Sequence, residues 1–202
     1  MKNNQSGRSM VEMLGVLAII GVLSAGGLAG YSKAMFKHKL NNTMDQITML
    51  VTNIRTMYGT QGNYAGLTKA VAVDLGIVPA VMTDDTRSGS KGAVTLTNPF
   101  KGDVDINETN VNGDHTGFYV EYSGLPNEAC IALATADFGS GAGSGFIGTN
   151  IDSQTTASGT YGTSTEGNAY AMGDKDDVKG AISLCNATGN VADNHTITWT
   201  FY

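Results

Sequence analysis

The chain has 202 residues, a formal charge of −6 and a charged fraction of 15%, against about 25% in an average soluble domain. That length holds one globular domain with a real core plus an appendage. The acidic, sparsely charged composition excludes a general nucleic-acid binder, which needs clustered Lys and Arg to displace counterions.

Residues 1–7, "MKNNQSG", form a short polar leader whose one charge is Lys2. From Met13 to Gly30 nothing is charged, yet Glu12 stands at the lip of the apolar run. Eighteen helical residues rise about 27 Å, close to the thickness of a bilayer's hydrocarbon core. Tyr31 then precedes Lys33, Lys37 and Lys39, an aromatic followed by cations, as a membrane–water interface favours. From Asn42 to Tyr58 the pattern becomes amphipathic: Ile47, Leu50 or Val51, Ile54, and Met57 or Tyr58 recur every three or four residues. Asp45, Gln46, Asn53 and Arg55 lie off that face. No proline precedes Pro79, so one helix is expected from Ser9 to Tyr58, about 75 Å long, with Gly59 as its stop.

A short helix is expected over 68–75, followed by the turn-prone "DDTRSGSKG". Strands are expected at Ala93–Thr97, Val104–Ile106, Phe118–Tyr122 and Thr196–Phe201, where alternation and β-branched or aromatic residues suit a half-buried antiparallel sheet. "LPNEACIALATA" reads as a helix with Pro126 near its first turn and Asn127 as its cap. Residues 139–177, rich in Gly, Ser, Thr and Asp, read as long surface loops. The two cysteines, Cys130 and Cys185, pair as a disulfide if the apolar segment sends the rest across a membrane, and are otherwise two free core thiols. A bridge there closes a loop of about 55 residues, worth about 4 kcal/mol in the chain-entropy model.

Several motifs are set aside. "GSGFIG", Gly143 to Gly148, fits GxGxxG but lies in a Gly/Ser-rich stretch rather than between a strand and a helix, so no nucleotide is assigned. The acidic Asp174–Asp177 turn lacks the spacing of a calcium loop. His38, His115 and His195 share no metal-ligand spacing, and no serine sits in a nucleophile elbow. No catalysis, metal or cofactor is expected.

"G-RSMVE" followed by about twenty apolar residues resembles the signal of type IV prepilins. The blocks "GFYVEYSGLPNEACIALAT", "AISLCN" and "TITWTFY" resemble the head of type IVb major pilins. The resemblance implies an α+β pilin fold, a long N-terminal helix packed on an antiparallel sheet. It implies cleavage between Gly7 and Arg8, N-methylation of Arg8, Glu12 as the fifth mature residue with a role in assembly, and a bridge between Cys130 and Cys185. Arg8 departs from the apolar or aromatic first residue usual in the family, and no proline kinks the helix.

The expected organisation is therefore a leader (1–7), a membrane and fibre-core part of the helix (8–30), its amphipathic part (31–58) and a head (59–202). Expected partners are further copies of the chain, a prepilin peptidase, the pilus assembly machinery and the inner membrane before assembly, with no nucleic acid. The expected final location is an extracellular pilus on a bacterial surface. A pseudopilin of type II secretion and a DNA-uptake or receptor-type minor pilin are the alternatives. An ordinary secretory signal cut near "LSAGG" explains neither Glu12 beside the apolar run nor the amphipathic continuation to Tyr58.

Overall fold

A 49-residue helix, α1, spans Met10–Tyr58, ending where expected; position 9, the expected start, lies outside the described residues. It opens a computed structural model that describes residues 10–83, 94–111, 114–136, 138, 145–152, 169–170, 181–182, 185–186 and 194–202. The chain divides into two compact units, Met1–Lys39 and Leu40–Tyr202.

In the second unit α1 buries Thr43, Ile47, Leu50, Val51, Ile54 and Tyr58, the stripe that its three- and four-residue spacing predicts. Away from that stripe Thr48, Thr52 and Thr56 are exposed, and each hydroxyl donates to the carbonyl four residues earlier, at 2.7–2.9 Å. The hydroxyls thus satisfy themselves on the helix backbone. Helix α2, Lys69–Asp74, starts where the Thr68 side chain accepts the Val71 amide, an N-cap that supplies one of the helix's orphan donors with an acceptor.

Strands β1 (Val104–Thr109), β2 (Gly117–Leu125), β3 (Phe146–Ile151), β4 (Ala169–Tyr170) and β5 (His195–Phe201) are the strands among the described residues. They form one sheet in the order β1-β2-β5-β3-β4, and all four neighbouring pairs are antiparallel. β5 takes the central place, with Trp199 paired to Val120 on one side and Thr149 on the other. Alternation separates the faces. Phe118, Val120, Tyr122, Ile197, Trp199 and Phe201 are buried on one, while Thr198 donates to Glu121 at 2.9 Å on the other. Helix α3, Asn127–Ala134, carries Cys130, which is bonded to Cys185. Both cysteines are buried, so the free-thiol alternative is removed.

Three sequence expectations need correction. Phe146–Ile151 and Ala169–Tyr170, both within 139–177, are strands rather than loop, because pairing of the first with β5 and of the second with the first outweighs the glycine-rich composition around them. Within 93–97, Leu96 and Thr97 make only isolated bridges, to Thr83 and Asp103; position 93 lies outside the described residues. Asn127 does not cap α3. Pro126 is the N-cap, which suits a residue with no amide hydrogen, and the Asn127 amide donates to Asn186 at 2.6 Å instead.

Two long-range fasteners close the head. Arg55 Nε on α1 donates to the Tyr202 carbonyl at 3.2 Å, with its guanidinium carbon 5.5 Å from the centre of the Phe201 ring. Asp152, just beyond β3, accepts the Thr196 amide at 2.7 Å and meets His195 Nδ1 at 2.6 Å, tying the end of β3 to the start of β5. The β2 bulge between Tyr122 and Leu125 brings two backbones together at Gly102. A Cβ there would stand 1.8 Å from the Ser123 carbonyl oxygen, backbone that no rotamer change relieves. Gly102→Ala is therefore expected to cost about 3 kcal/mol, at the upper end for overpacking. Denaturant unfolding of the full chain in detergent checks this, and an unmoved midpoint contradicts it.

Candidate assembly surface

The first unit presents an unusual surface for a protein in water. Met10 to Leu28 of α1 is apolar on every side except for Glu12, Ser24 and the glycines. Val11, Leu14, Ile19, Val22, Leu23 and Leu28 are 63–75% exposed. The helix is long and apolar enough to cross a membrane, and none of its apolar stretch is buried. A core helix of a soluble protein can be as long and apolar but buries that stretch. Contiguous apolar surface of this extent marks a membrane or partner contact.

Glu12 lies in the first turn of α1, where the partial positive charge of the helix N-terminus favours a carboxylate. The sequence places it at the end of the apolar run, and the structure leaves it exposed. Gly7 and Arg8, the expected cleavage pair, lie outside the described residues. Gly15, Gly21, Gly26, Gly27 and Gly30 interrupt the apolar surface, and a Cβ on any of them would meet nothing within 4 Å. Such notches let a second backbone come close where there is no water to drive helices together. Lys33 and Lys37 follow, both exposed.

The head contributes polar chemistry of another kind. On the open face of the sheet Asp105 Oδ2 accepts from the Asn107 amide at 3.1 Å and from the Tyr119 hydroxyl at 3.2 Å. Lys69 Nζ stands 3.6 Å from the other Asp105 oxygen. Burial, opposed in part by the bond from Asn107, pushes the Tyr119 phenol up to about 12, so it is a neutral donor throughout the physiological range. His115 pairs with Glu108 at 3.0 Å and His195 with Asp152. These pairs knit loops and strands. Among the described residues no three His, Cys, Asp or Glu side chains gather to hold a metal. "GSGFIG" runs into β3, and its Gly145 packs against Arg55 and Tyr202 at a φ of +65°, so a backbone contact accounts for that glycine. The Asp174–Asp177 turn lies outside the described residues.

The sequence did not reveal Arg55 as a fastener. Its partner is 147 positions away, and only the absence of an acidic neighbour one turn along the helix hinted at a distant role.

Comparison with known proteins agrees with this arrangement. The sequence profile of the Bundlin family matches residues 33–202. The major structural subunit of the bundle-forming pilus from Escherichia coli O111:H- is 28% identical over 165 residues, covering 82% of this chain and 80% of the relative. The subunit of the same description from E. coli O127:H6 is 28% identical over 141 residues, covering 70% of this chain and 69% of the relative. Among solved structures, TcpA, a type IV pilin from the Vibrio cholerae El Tor biotype, aligns with 82% of this chain and 99% of its own. Its TM-score is 0.53 at 18% identity, which identifies the long-helix and antiparallel-sheet fold as that of a type IV pilin. A profile match over most of the chain, two relatives aligned across it and a shared fold lead to one conclusion: this protein belongs to the Bundlin family.

Proposed function

We propose that this chain is the precursor of a structural subunit of a cell-surface pilus, a non-enzyme that polymerises through the first half of α1. The observation that carries the reading is the all-round exposure of an uncharged helical stretch from Met13 to Gly30, in a helix whose Ile47–Tyr58 segment is built into the head core. Such a stretch needs a bilayer before assembly and other helices after it. Burying it among neighbours releases about 25 cal/mol per Å² of apolar surface, which supplies most of the cohesion. The relatives named above are major subunits of a bundle-forming pilus, and the same role is the reading for this chain.

Removal of residues 1–7 by a prepilin peptidase frees an α-amino group on Arg8, which is then N-methylated. That cation is the proposed counter-ion for Glu12 of a neighbouring subunit. A carboxylate buried in apolar surroundings costs several kcal/mol unless paired, so a misplaced subunit is penalised more than a placed one is stabilised. Cleavage and assembly thereby become one switch. The processed subunit waits in the inner membrane until the assembly machinery moves it into the filament. Residues 8–30 then line the fibre core, 31–58 join core to head, and 59–202 face outward.

Intact mass and N-terminal sequence of the subunit from sheared filaments test this. The expected protein starts at Arg8, carries one added methyl group and lacks two hydrogens for the Cys130–Cys185 bridge. A start near Ala25–Gly27 would make the apolar segment an ordinary removed signal and overturn the reading.

A further inference from the structure

We infer that Glu12 of one copy docks between Lys33 and Lys37 of a second, parallel copy displaced along the helix axis by about 30–40 Å. The inference rests on the reading of α1 as the polymerisation element and adds a second counter-ion, from a different neighbour, to the α-amino group of Arg8.

Four observations carry it. The first is phase. α1 is one helix from Met10 to Tyr58, and at 3.6 residues per turn Lys37 falls within about 20° of Glu12 around the axis and Lys33 within about 60°. Lys39 falls on nearly the opposite side. The second is the surface between them. Gly15, Gly26 and Gly30 lie in the same sector, and a Cβ on each would meet nothing within 4 Å, so a neighbouring helix can seat closely along this face.

The third observation is local repulsion. Lys33 and Lys37 are four residues apart, the spacing at which like charges face each other and destabilise a helix. Both are exposed, and no acidic residue lies one turn away from either: Glu12 is the only acid before Asp45. Two facing ammonium groups without a local acid make a site for an anion. The fourth is reach. Glu12 is about 31 Å from Lys33 and about 38 Å from Lys37 along the axis, so the pairing is closed to one molecule and open to two. A bilayer of about 30 Å accounts for that distance, since charges flank any span. It does not account for the shared face.

The membrane-inserted subunit then keeps its acid at one rim and its paired lysines at the other. Sliding a second copy by roughly one membrane thickness, and turning it about an axis parallel to the helices so that the two faces meet, brings acid and lysines together, so the same spacing serves insertion and register.

Zero-length carbodiimide coupling of purified filaments, followed by peptide mass spectrometry, tests the contact directly. A link between Glu12 and Lys33 or Lys37 is expected. Coupling of Glu12 to the Arg8 α-amino group alone overturns the inference. In producing cells, Glu12→Lys is expected to abolish filaments. Lys33→Glu with Lys37→Glu should reduce them at least tenfold at an unchanged level of cleaved subunit. Combining all three substitutions should give at least tenfold more filaments than Glu12→Lys alone while staying below the parent, because the lysine introduced at position 12 then faces the Arg8 α-amino group, and no gain over Glu12→Lys counts against the contact. Normal filaments from Lys33→Gln with Lys37→Gln also overturn the docking while leaving polymerisation through α1 intact. Normal filaments from Glu12→Gln overturn every pairing of Glu12, with the lysines and with Arg8 alike.

Discussion

Trp199→Ala is expected to lower the stability of the head by about 3–5 kcal/mol, the cost of emptying an aromatic site in a close-packed core. Trp199 is fully buried on the central strand. Its ring meets Tyr122 edge-on at 5.7 Å and Phe138 at 5.6 Å. Val120 and Thr149 flank it across the two neighbouring strands, so truncation opens a hole beneath three strands at once. Backbone pairing on both sides of β5 prevents collapse into that hole, which places the cost high in the range. For a unit of this size the loss corresponds to a fall in Tm of about 6–20 °C, measured by thermal unfolding of the detergent-solubilised full chain. Trp199→Phe, which retains a ring, is expected to cost clearly less. Equal Tm values for parent and Trp199→Ala would show that the sheet is not organised around this residue.

Replacing Cys130 and Cys185 together by serine is expected to cost about 4 kcal/mol. The bridge closes a loop with a sequence separation of 55, and the chain-entropy model assigns that amount to the freedom it removes from the unfolded chain. The native contacts around it are modest. α3 has eight residues, and Asn127 with Asn186 supplies one exposed hydrogen bond between the bridged segments. Against a total stability of roughly 5–15 kcal/mol, the double serine variant is expected to unfold at a much lower denaturant concentration and to be degraded by proteases that spare the parent. A midpoint within error of the parent contradicts this. The Trp199 and cysteine effects act through different states, one on native packing and the other mainly on the unfolded chain, so they are expected to add.

The long helix was legible in the sequence because its two halves obey simple rules. Met13–Gly30 has no charge and no proline, and 42–58 repeats apolar residues at helical spacing, so both halves permit one unbroken helix. The short helix was legible near 68–75, and the Thr68 hydroxyl that caps it came from the structure. Alternation in "FYVEY" and "TITWTF" located β2 and β5. β3 was hidden because Gly148 and the glycines before it erase the period-two signal, and its partner β5 lies some fifty residues further on. Asn127 misled because Asn is a good cap in general, while here the chain enters α3 through Pro126 and the Asn side chain is held elsewhere. For the candidate site, Glu12 stood out as a charge beside a greasy run. The fasteners Arg55 and Asp152 did not, since side-chain bonds across 147 and 44 positions leave no periodic trace.

The proposed assembly rests on one electrostatic requirement: a lone acid at the end of an apolar rod must find a cation on another copy. Electron microscopy of cells making Glu12→Gln subunits, with leader removal confirmed by N-terminal sequencing, tests it most directly. Glutamine keeps the size and removes the charge, so the account predicts cleaved subunit accumulating in the membrane and filaments reduced at least a hundredfold. Abundant filaments of normal length from that variant would contradict it.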